Sequence, residues 1–279
     1  GIEVDLQSES SGVNAADQLL TGAVQGVIGF YDHTIDLQAK GKSVESVVQL
    51  GLAPGEALVV STRLVQQIRS PADFKGRTLG VAGLGSSTEL LTRYLAAVHG
   101  VKVADLVTVP VGAGDTFIAA LKLGRIDAGM TTDPTVARLL KDGEAKVILD
   151  LRSPEETRKI LGGPYPAACL YMESTWVKSH RPQVQKLVNA LVKALGFIQA
   201  HGADAIASWM PADYFVGDRD LYVEALAHNK SMFSPDGRMP AGGPETVLKV
   251  LSSVDRALEG KPINLSGTYT MDFVAAAGR

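Results

Sequence analysis

The chain has 279 residues, 46% of them hydrophobic and 20% charged, with 29 Gly and 13 Pro; this composition is globular and excludes collagen-like, coiled-coil and disordered classes. At roughly 150 residues per domain the length predicts two domains or one large one. A formal net charge of −3 supplies no broad positive field, so nucleic acid, whose binding rests on many Lys and Arg contacts to phosphates, is not an expected partner.

In chain order, Ile2, Val4 and Leu6 alternate with polar residues and predict a first strand, followed by a short helix from Asn14 to Leu20 that Gly22 ends. Gly26-Val-Ile-Gly-Phe-Tyr predicts a buried strand, Thr34 to Ala39 a helix, and Val44 to Leu50 another strand. This β-α-β-α-β order with short connections predicts a parallel sheet with helices on its faces.

A second series starts with the strand Ala57-Leu-Val-Val-Ser-Thr and passes through the polar turn Ser70-Pro-Ala-Asp-Phe-Lys-Gly to the strand Thr78-Leu-Gly-Val-Ala. A helix from Ser87 to His99, with Leu91, Leu95 and Val98 on one face, precedes a strand from Leu106 to Val111 and a helix from Thr116 to Leu123. The strand Ile126 to Met130, a helix beginning at Pro134 and a strand from Lys146 to Leu151 complete this half. A further strand covers Ala167 to Glu173. Beyond it the pattern is mostly helical, with helices predicted over Pro182 to Ala200, Leu221 to His228, Glu245 to Leu258 and about Met271 to Ala277.

Cys169 is the only cysteine, which excludes an intrachain disulfide and Cys-rich metal sites; its apolar surroundings mark it as inert core. No run of about 18 apolar residues is present to span a bilayer. The opening at Gly1 without methionine predicts a product processed from a longer precursor, with its targeting signal removed.

Chemistry concentrates at strand-to-helix junctions. In Gly83-Leu-Gly85-Ser86-Ser87-Thr88-Glu89, free N–H groups and the positive end of a helix dipole can meet a ligand. Ser86 and Glu89 have capping-box spacing, so Ser86 serves either the helix cap or a ligand, while Ser87 and Thr88 are the stronger contacts. Thr131-Thr132-Asp133-Pro134 occupies the carboxyl end of a strand, where open α/β sheets bind ligands; the alternative is that Asp133 only caps its helix. Phe30-Tyr31-Asp32-His33-Thr34 holds the equivalent place in the first half and offers an aromatic, a hydroxyl and an imidazole. Neither 83–88 nor 131–134 contains Lys or Arg, so an anion there would depend on N–H groups, hydroxyls and helix dipoles. The five histidines lack zinc spacing, and neither a Gly-x-Ser-x-Gly elbow nor a Gly-Lys-Ser/Thr phosphate loop occurs.

Asp73-Phe-Lys-Gly-Arg-Thr-Leu-Gly-Val, Gly85-Ser-Ser-Thr-Glu-Leu-Leu, and Ala119-Ala-Leu-Lys-Leu-Gly-Arg-Ile-Asp-Ala before Thr132-Asp-Pro follow one another in an order and spacing that resemble the periplasmic solute-binding proteins of ABC importers. The resemblance is to the nitrate, sulfonate and taurine-type group, which includes thiamine-precursor binders, and it runs over nearly the whole chain. It implies an α/β, two-lobe periplasmic-binding-protein (type II) fold, each lobe a mostly parallel sheet flanked by helices, joined by two crossover segments at about Ala57 to Arg63 and Ala167 to Ser174. Lobe 1 would be discontinuous, residues 1–60 and 171–279, and lobe 2 would be residues 61–170. Relatives begin with one more strand and helix, so lobe 1 is expected to lack its first β-α unit.

The function implied is capture of a small solute, a sulfonate- or nitrate-like anion or a small heteroaromatic, by hinge closure. Tyr31, Asp32 and His33 would form one wall, and Gly85, Ser86, Ser87 and Thr88 with Thr132 and Asp133 the other. No catalytic residue, metal or cofactor is expected. The expected partners are the small molecule and an ABC permease of the inner membrane, bound by a monomer in the periplasm. The alternatives are an enzyme on the same scaffold acting on a pyrimidine-like or acidic metabolite, and a ligand-sensing domain.

Overall fold

The apolar runs pair into two separate sheets in the computed structural model, which describes residues 1–215 and 217–278. The strands are β1 (Val27–Phe30), β2 (Val44–Gln49), β3 (Glu56–Ser61), β4 (Thr78–Val81), β5 (Val107–Pro110), β6 (Ala128–Thr132), β7 (Ala145–Leu151) and β8 (Ala168–Glu173). One sheet has the order β1-β8-β2 and the other β5-β4-β6-β3-β7. The helices are α1 (Gly12–Leu20), α2 (Asp32–Ala39), α3 (Ser87–Val98), α4 (Asp115–Lys122), α5 (Thr135–Lys141), α6 (Pro154–Leu161), α7 (Ser174–Ser179), α8 (Arg181–Ala200), α9 (Ala203–Ala207), α10 (Arg219–Asn229), α11 (Gly243–Val254) and α12 (Asp272–Ala276).

The fold is the expected two-lobe α/β architecture, but its sheets are not mostly parallel as expected: the larger is mixed and the smaller antiparallel. In the five-stranded sheet β4 runs parallel to β5 and β6, whereas β3 is antiparallel to β6 and β7. In the three-stranded sheet β8 is antiparallel to both neighbours. The strand next to each point where the chain changes sheet, β3 or β8, supplies these antiparallel pairings. The chain changes sheet over 50–55 and 152–167, each ahead of the segment expected from sequence. There the two passages bond to each other: Leu50 N and Gly51 N each donate to Ala168 O at 2.8 Å, and Ala167 N donates to Gly51 O at 2.9 Å.

The strand expected at Ile2 to Leu6 does not form; residues 1–9 have no regular structure and are exposed. Alternation selects a face, but a strand also needs a neighbour to satisfy its backbone, and β1 pairs only with β8 among the described residues. Helix α6 was not anticipated. Its signals are nevertheless local: Ser153 caps the N-terminus by accepting from Glu156 N, Pro154 takes the first turn, and Gly162 ends the helix with φ +81°.

Packing joins the lobes. One apolar cluster holds Tyr31, Leu58, Leu91, Tyr94, Met130, Tyr165 and Cys169, residues drawn from both sheets and their flanking helices. A second cluster lines the far face of the larger sheet under α4 and α5, and a third packs α8 and α12 on the smaller sheet. The helical tail is shared between the lobes, not confined to the first. Helix α11 packs on both α2 and α3, and α10 packs on α5.

The α10 contact is fixed by buried charge. Arg152, whose side chain is 8% exposed, donates to Asp133 Oδ2 at 3.0 Å and to the Asp150 carboxylate at 2.7 and 2.9 Å. Asn229 Nδ2 of α10 donates to the same Asp133 oxygen at 2.5 Å. Removing one partner of a buried pair leaves an uncompensated charge, so Arg152→Ala is expected to cost about 3–5 kcal/mol, read as a lower urea midpoint. A loss below about 1 kcal/mol would mean that water already screens this network.

Candidate functional site

Asp32 opens α2 one residue beyond Tyr31, and Ser87 opens α3 after β4. Ser87 Oγ donates to Asp32 Oδ2 at 2.7 Å, with both residues buried. A single hydrogen bond thus connects the strand-to-helix turn of the smaller sheet to that of the larger one.

Polar groups surround this bond without partners of their own. Among the described residues, Asp32 Oδ1, Glu56 Oε2, Thr131 Oγ1, Tyr165 OH and Tyr171 OH are buried and make no hydrogen bond. Glu56 begins β3 in register with Thr132 of β6, and Tyr165 lies in the second passage between sheets. The Asp32 charge acts on Glu56, and both carboxylates act on Tyr165, so these groups share one electrostatic neighbourhood.

Burial raises the Asp32 carboxyl, opposed by His33 and by the Ser87 hydrogen bond. Burial, then the Asp32 charge, pushes the Glu56 carboxyl well above the ordinary range. Tyr165 is pushed well up by burial and then by the two carboxylates. Burial, which disfavours the charged form of each group, is the physical cause of the shared direction, and the Asp32 charge adds to it at Glu56 and Tyr165. Cys169 is buried and its thiol is pushed up to about 12, chiefly by burial.

The glycine-serine loop is largely occupied with itself. Ser86 Oγ donates to Gly83 O at 2.6 Å and lies 2.7 Å from Thr88 Oγ1, which accepts from Ala82 N at 2.9 Å. Glu89 accepts from Gly85 N at 2.6 Å and from Thr108 Oγ1 at 2.9 Å. Ser86 makes no cap hydrogen bond, so the Ser-x-x-Glu spacing is not a capping box here; Glu89 reaches Gly85 instead of Ser86. Gly85 has φ +81°, a turn that a side chain would strain. Only Ser87 of this loop sends its hydroxyl across to the other lobe, while the N–H groups of Ser87, Thr88 and Glu89 have no acceptor among the described residues.

The other expected residues separate. Tyr31 turns away: its hydroxyl bonds Thr268 and its ring stands edge-on to Tyr269 at 6.4 Å. His33 is buried, with its ring 6.4 Å from that of Tyr171. Thr132 ends β6 opposite Glu56. Asp133 is saturated by Arg152, Asn229 and the Ala137 N–H, the last at 2.9 Å, so its role in this structure is capping and ion pairing. Sequence reasoning passed over Glu56, Tyr165 and Tyr171. Glu56 stands at the head of the apolar run Ala57-Leu-Val-Val, a position that by itself reads as a solvated strand end.

A cavity of about 230 Å³ opens beside this cluster, with Asp32, His33, Gly85, Glu89, Arg93 and Asp255 in its walls. Another of the same volume lies between α5 and α10, bounded by Arg138, Phe215 and Tyr222. No cluster of three or more His, Cys, Asp or Glu suited to a metal ion occurs among the described residues.

The family model described as NMT1/THI5 like matches residues 1–205. A Bordetella bronchiseptica RB50 protein of solved structure is 35% identical, with a TM-score of 0.90 over 96% of this chain and 84% of its own. The alkanesulfonate-binding protein SsuA of Xanthomonas axonopodis pv. citri, bound to MOPS, is 20% identical with a TM-score of 0.68 over 94% of this chain and 86% of its own. The periplasmic nitrate-binding protein NrtA of Synechocystis PCC 6803 is 12% identical with a TM-score of 0.74 over 96% and 78%. The architecture also extends to the desulfurization enzyme DszB, at 18% identity and a TM-score of 0.52 over 90% and 84%. No curated protein sequence matches the chain.

The buried Glu56 sets a pH dependence whose sign is fixed. Its carboxyl is raised in the folded state, whereas the unfolded chain loses that proton near pH 4.3. The unfolded state therefore binds fewer protons as pH rises, and Glu56 subtracts stability from about pH 4 up through its folded value. Glu56→Gln is expected to stabilise the protein by about 1–3 kcal/mol at pH 7, a gain that disappears towards pH 4. Urea titrations at both pH values measure it, and destabilisation at pH 7 would refute the sign.

Proposed function

The chain belongs to the NMT1/THI5-like family, and from that membership we propose that it is the solute-binding component of an ABC import system, closing two lobes over a small solute. The observation that carries the reading is the Asp32–Ser87 bond between lobes, set among buried polar groups that have no partner of their own. Such groups are costly in an empty site and favourable once a ligand pairs them. The sulfonate- and nitrate-binding relatives support a receptor on the same fold.

Closure follows from differential contact. A solute touching Asp32 and His33 on one lobe and Ser87 with the α3 N-terminus on the other binds the closed form more tightly than the open one, and shifts the population by that difference. Glu56, Thr131 and Tyr165 form the floor. Gly85, Ser86 and Thr88 shape the loop that presents Ser87, and Tyr31 and Asp133 hold the surrounding elements. We place the lobe boundaries in the two passages, 50–55 and 152–167, in preference to 60/61 and 170/171. The protein acts as a monomer in the periplasm, without a cofactor, and delivers its solute to an inner-membrane permease. An enzyme is the second reading, favoured by the desulfurization enzyme of similar fold.

A thermal-shift screen of the full chain against sulfonates, nitrate, carboxylates, amines and pyrimidines tests the proposal, because a ligand of the folded state raises its melting temperature. The expected outcome is one solute class bound 1:1 and recovered unchanged, with affinity reduced about tenfold or more in Ser87→Ala. Chemical conversion of the bound compound, seen by NMR, would assign the enzyme instead. No response from any class would overturn the receptor reading.

A further inference from the structure

We infer that the solute taken by this cleft carries a protonated or N–H-rich nitrogen group, an amine, amidinium or protonated heterocycle, seated between Asp32 and Glu56. This rests on the receptor reading above and specifies its ligand. Glu56 carries the argument. It is 1% exposed, forms no ion pair, and its side chain makes no hydrogen bond among the described residues. A buried carboxyl without a partner is among the least favourable groups a fold can keep, and among the described residues no Lys or Arg acts on it.

Asp32 repeats the pattern from the opposite lobe. One of its oxygens accepts from Ser87, while the other is buried and free. Two unfilled acceptors on carboxyl groups call for donors, and a nitrogen cation supplies donors and charge together. The hydroxyls of Tyr165, Tyr171 and Thr131 add partners that can accept as well as donate.

The same arrangement disfavours an anion. The positive end of α3, the natural anion site of this cleft, already faces the Asp32 carboxylate through Ser87, and Glu89 sits in its first turn. The adjoining cavity presents Asp32, Asp36, Glu89 and Asp255 against Lys40 and Arg93. Lys40 is paired with Asp36 at 2.6 Å, and Arg93 donates through Nη2 to Val254 O at 2.7 Å, which leaves its buried Nε without a partner among the described residues, a cationic donor set against four carboxyl groups. A sulfonate or nitrate entering there would meet more carboxylate than cation. Burial raises both Asp32 and Glu56, so a cation binding between them should displace protons.

The test uses three size-matched probes on the full chain at pH 7: benzamidine as cation, benzamide as neutral and benzenesulfonate as anion. Benzamidine is expected to raise the melting temperature and to bind at least tenfold more tightly than benzamide by calorimetry. Its heat should vary with buffer ionisation enthalpy in the sense of net proton release. Benzenesulfonate should leave the melting temperature unchanged. Glu56→Gln should weaken benzamidine at least tenfold while raising the melting temperature of the unliganded protein, a combination that a merely structural Glu56 would not produce. Asp32→Asn supplies the independent second variant, with the same loss expected.

Tighter binding of benzenesulfonate, failure of benzamidine to bind, or equal benzamidine affinity in wild type and both variants would overturn the inference. In each of those cases a solute found by the broad screen keeps the receptor reading intact. That reading fails separately, when no class binds or when the bound compound is converted.

Discussion

The structure depends on how two acidic side chains are kept out of water at the junction of its lobes. Asp32 reaches the junction from the start of α2 and Glu56 from the start of β3, and Ser87 alone supplies a hydroxyl to either of them. Burial of this kind persists only where surrounding packing over-determines it. Here the packing is the continuous cluster of Tyr31, Leu58, Leu91, Tyr94, Met130 and Tyr165, with α11 lying over α2 and α3. The apolar area removed from water across the lobes offsets what the unpartnered carboxyls cost, at about 25 cal/mol per Å². The site is therefore destabilising by itself and held by its surroundings, the usual condition of a site prepared for a ligand.

Besides the chain passages, the shared apolar cluster and the packing of α11, polar ties join the lobes, and two of them contrast. One tie is the Asp32–Ser87 bond, in the cleft and open to competition from a solute. The other is the contact of α10 with α5, where Asn229 joins the Asp133–Arg152 pair. These ties differ in chemistry. The first leaves acceptors free, whereas Asp133 has both of its oxygens occupied. A saturated carboxylate fixes geometry, and an unsaturated one can respond to what enters.

Much of this was legible in the sequence. Apolar runs, period-two alternation and helical spacing located all eight strands and most long helices, because burial on one face imposes a repeat that residues display directly. What failed was what depends on partners distant in sequence. Ile2 to Leu6 has strand alternation without a strand beside it. Asp133 looks like a ligand until Arg152 and Asn229, 19 and 96 residues away, are seen to consume its oxygens. Ser86 and Glu89 carry capping-box spacing, yet Thr88 and Thr108 redirect them. Glu56 stands at a strand start, where charge ordinarily marks a solvated end, and nothing local reveals that it is covered on every side.

The bonding between the two passages reaches beyond the fold. Because Leu50 and Gly51 share the carbonyl of Ala168, and Ala167 answers the carbonyl of Gly51, neither connection can twist while the other stays still. The pair forms one short ribbon, so a hinge at this place would bend both connections together about a single line. A joint with one degree of freedom has little entropy to lose when it shuts. More of the contact free energy from an arriving molecule is then available to select the shut arrangement over the rest of the ensemble.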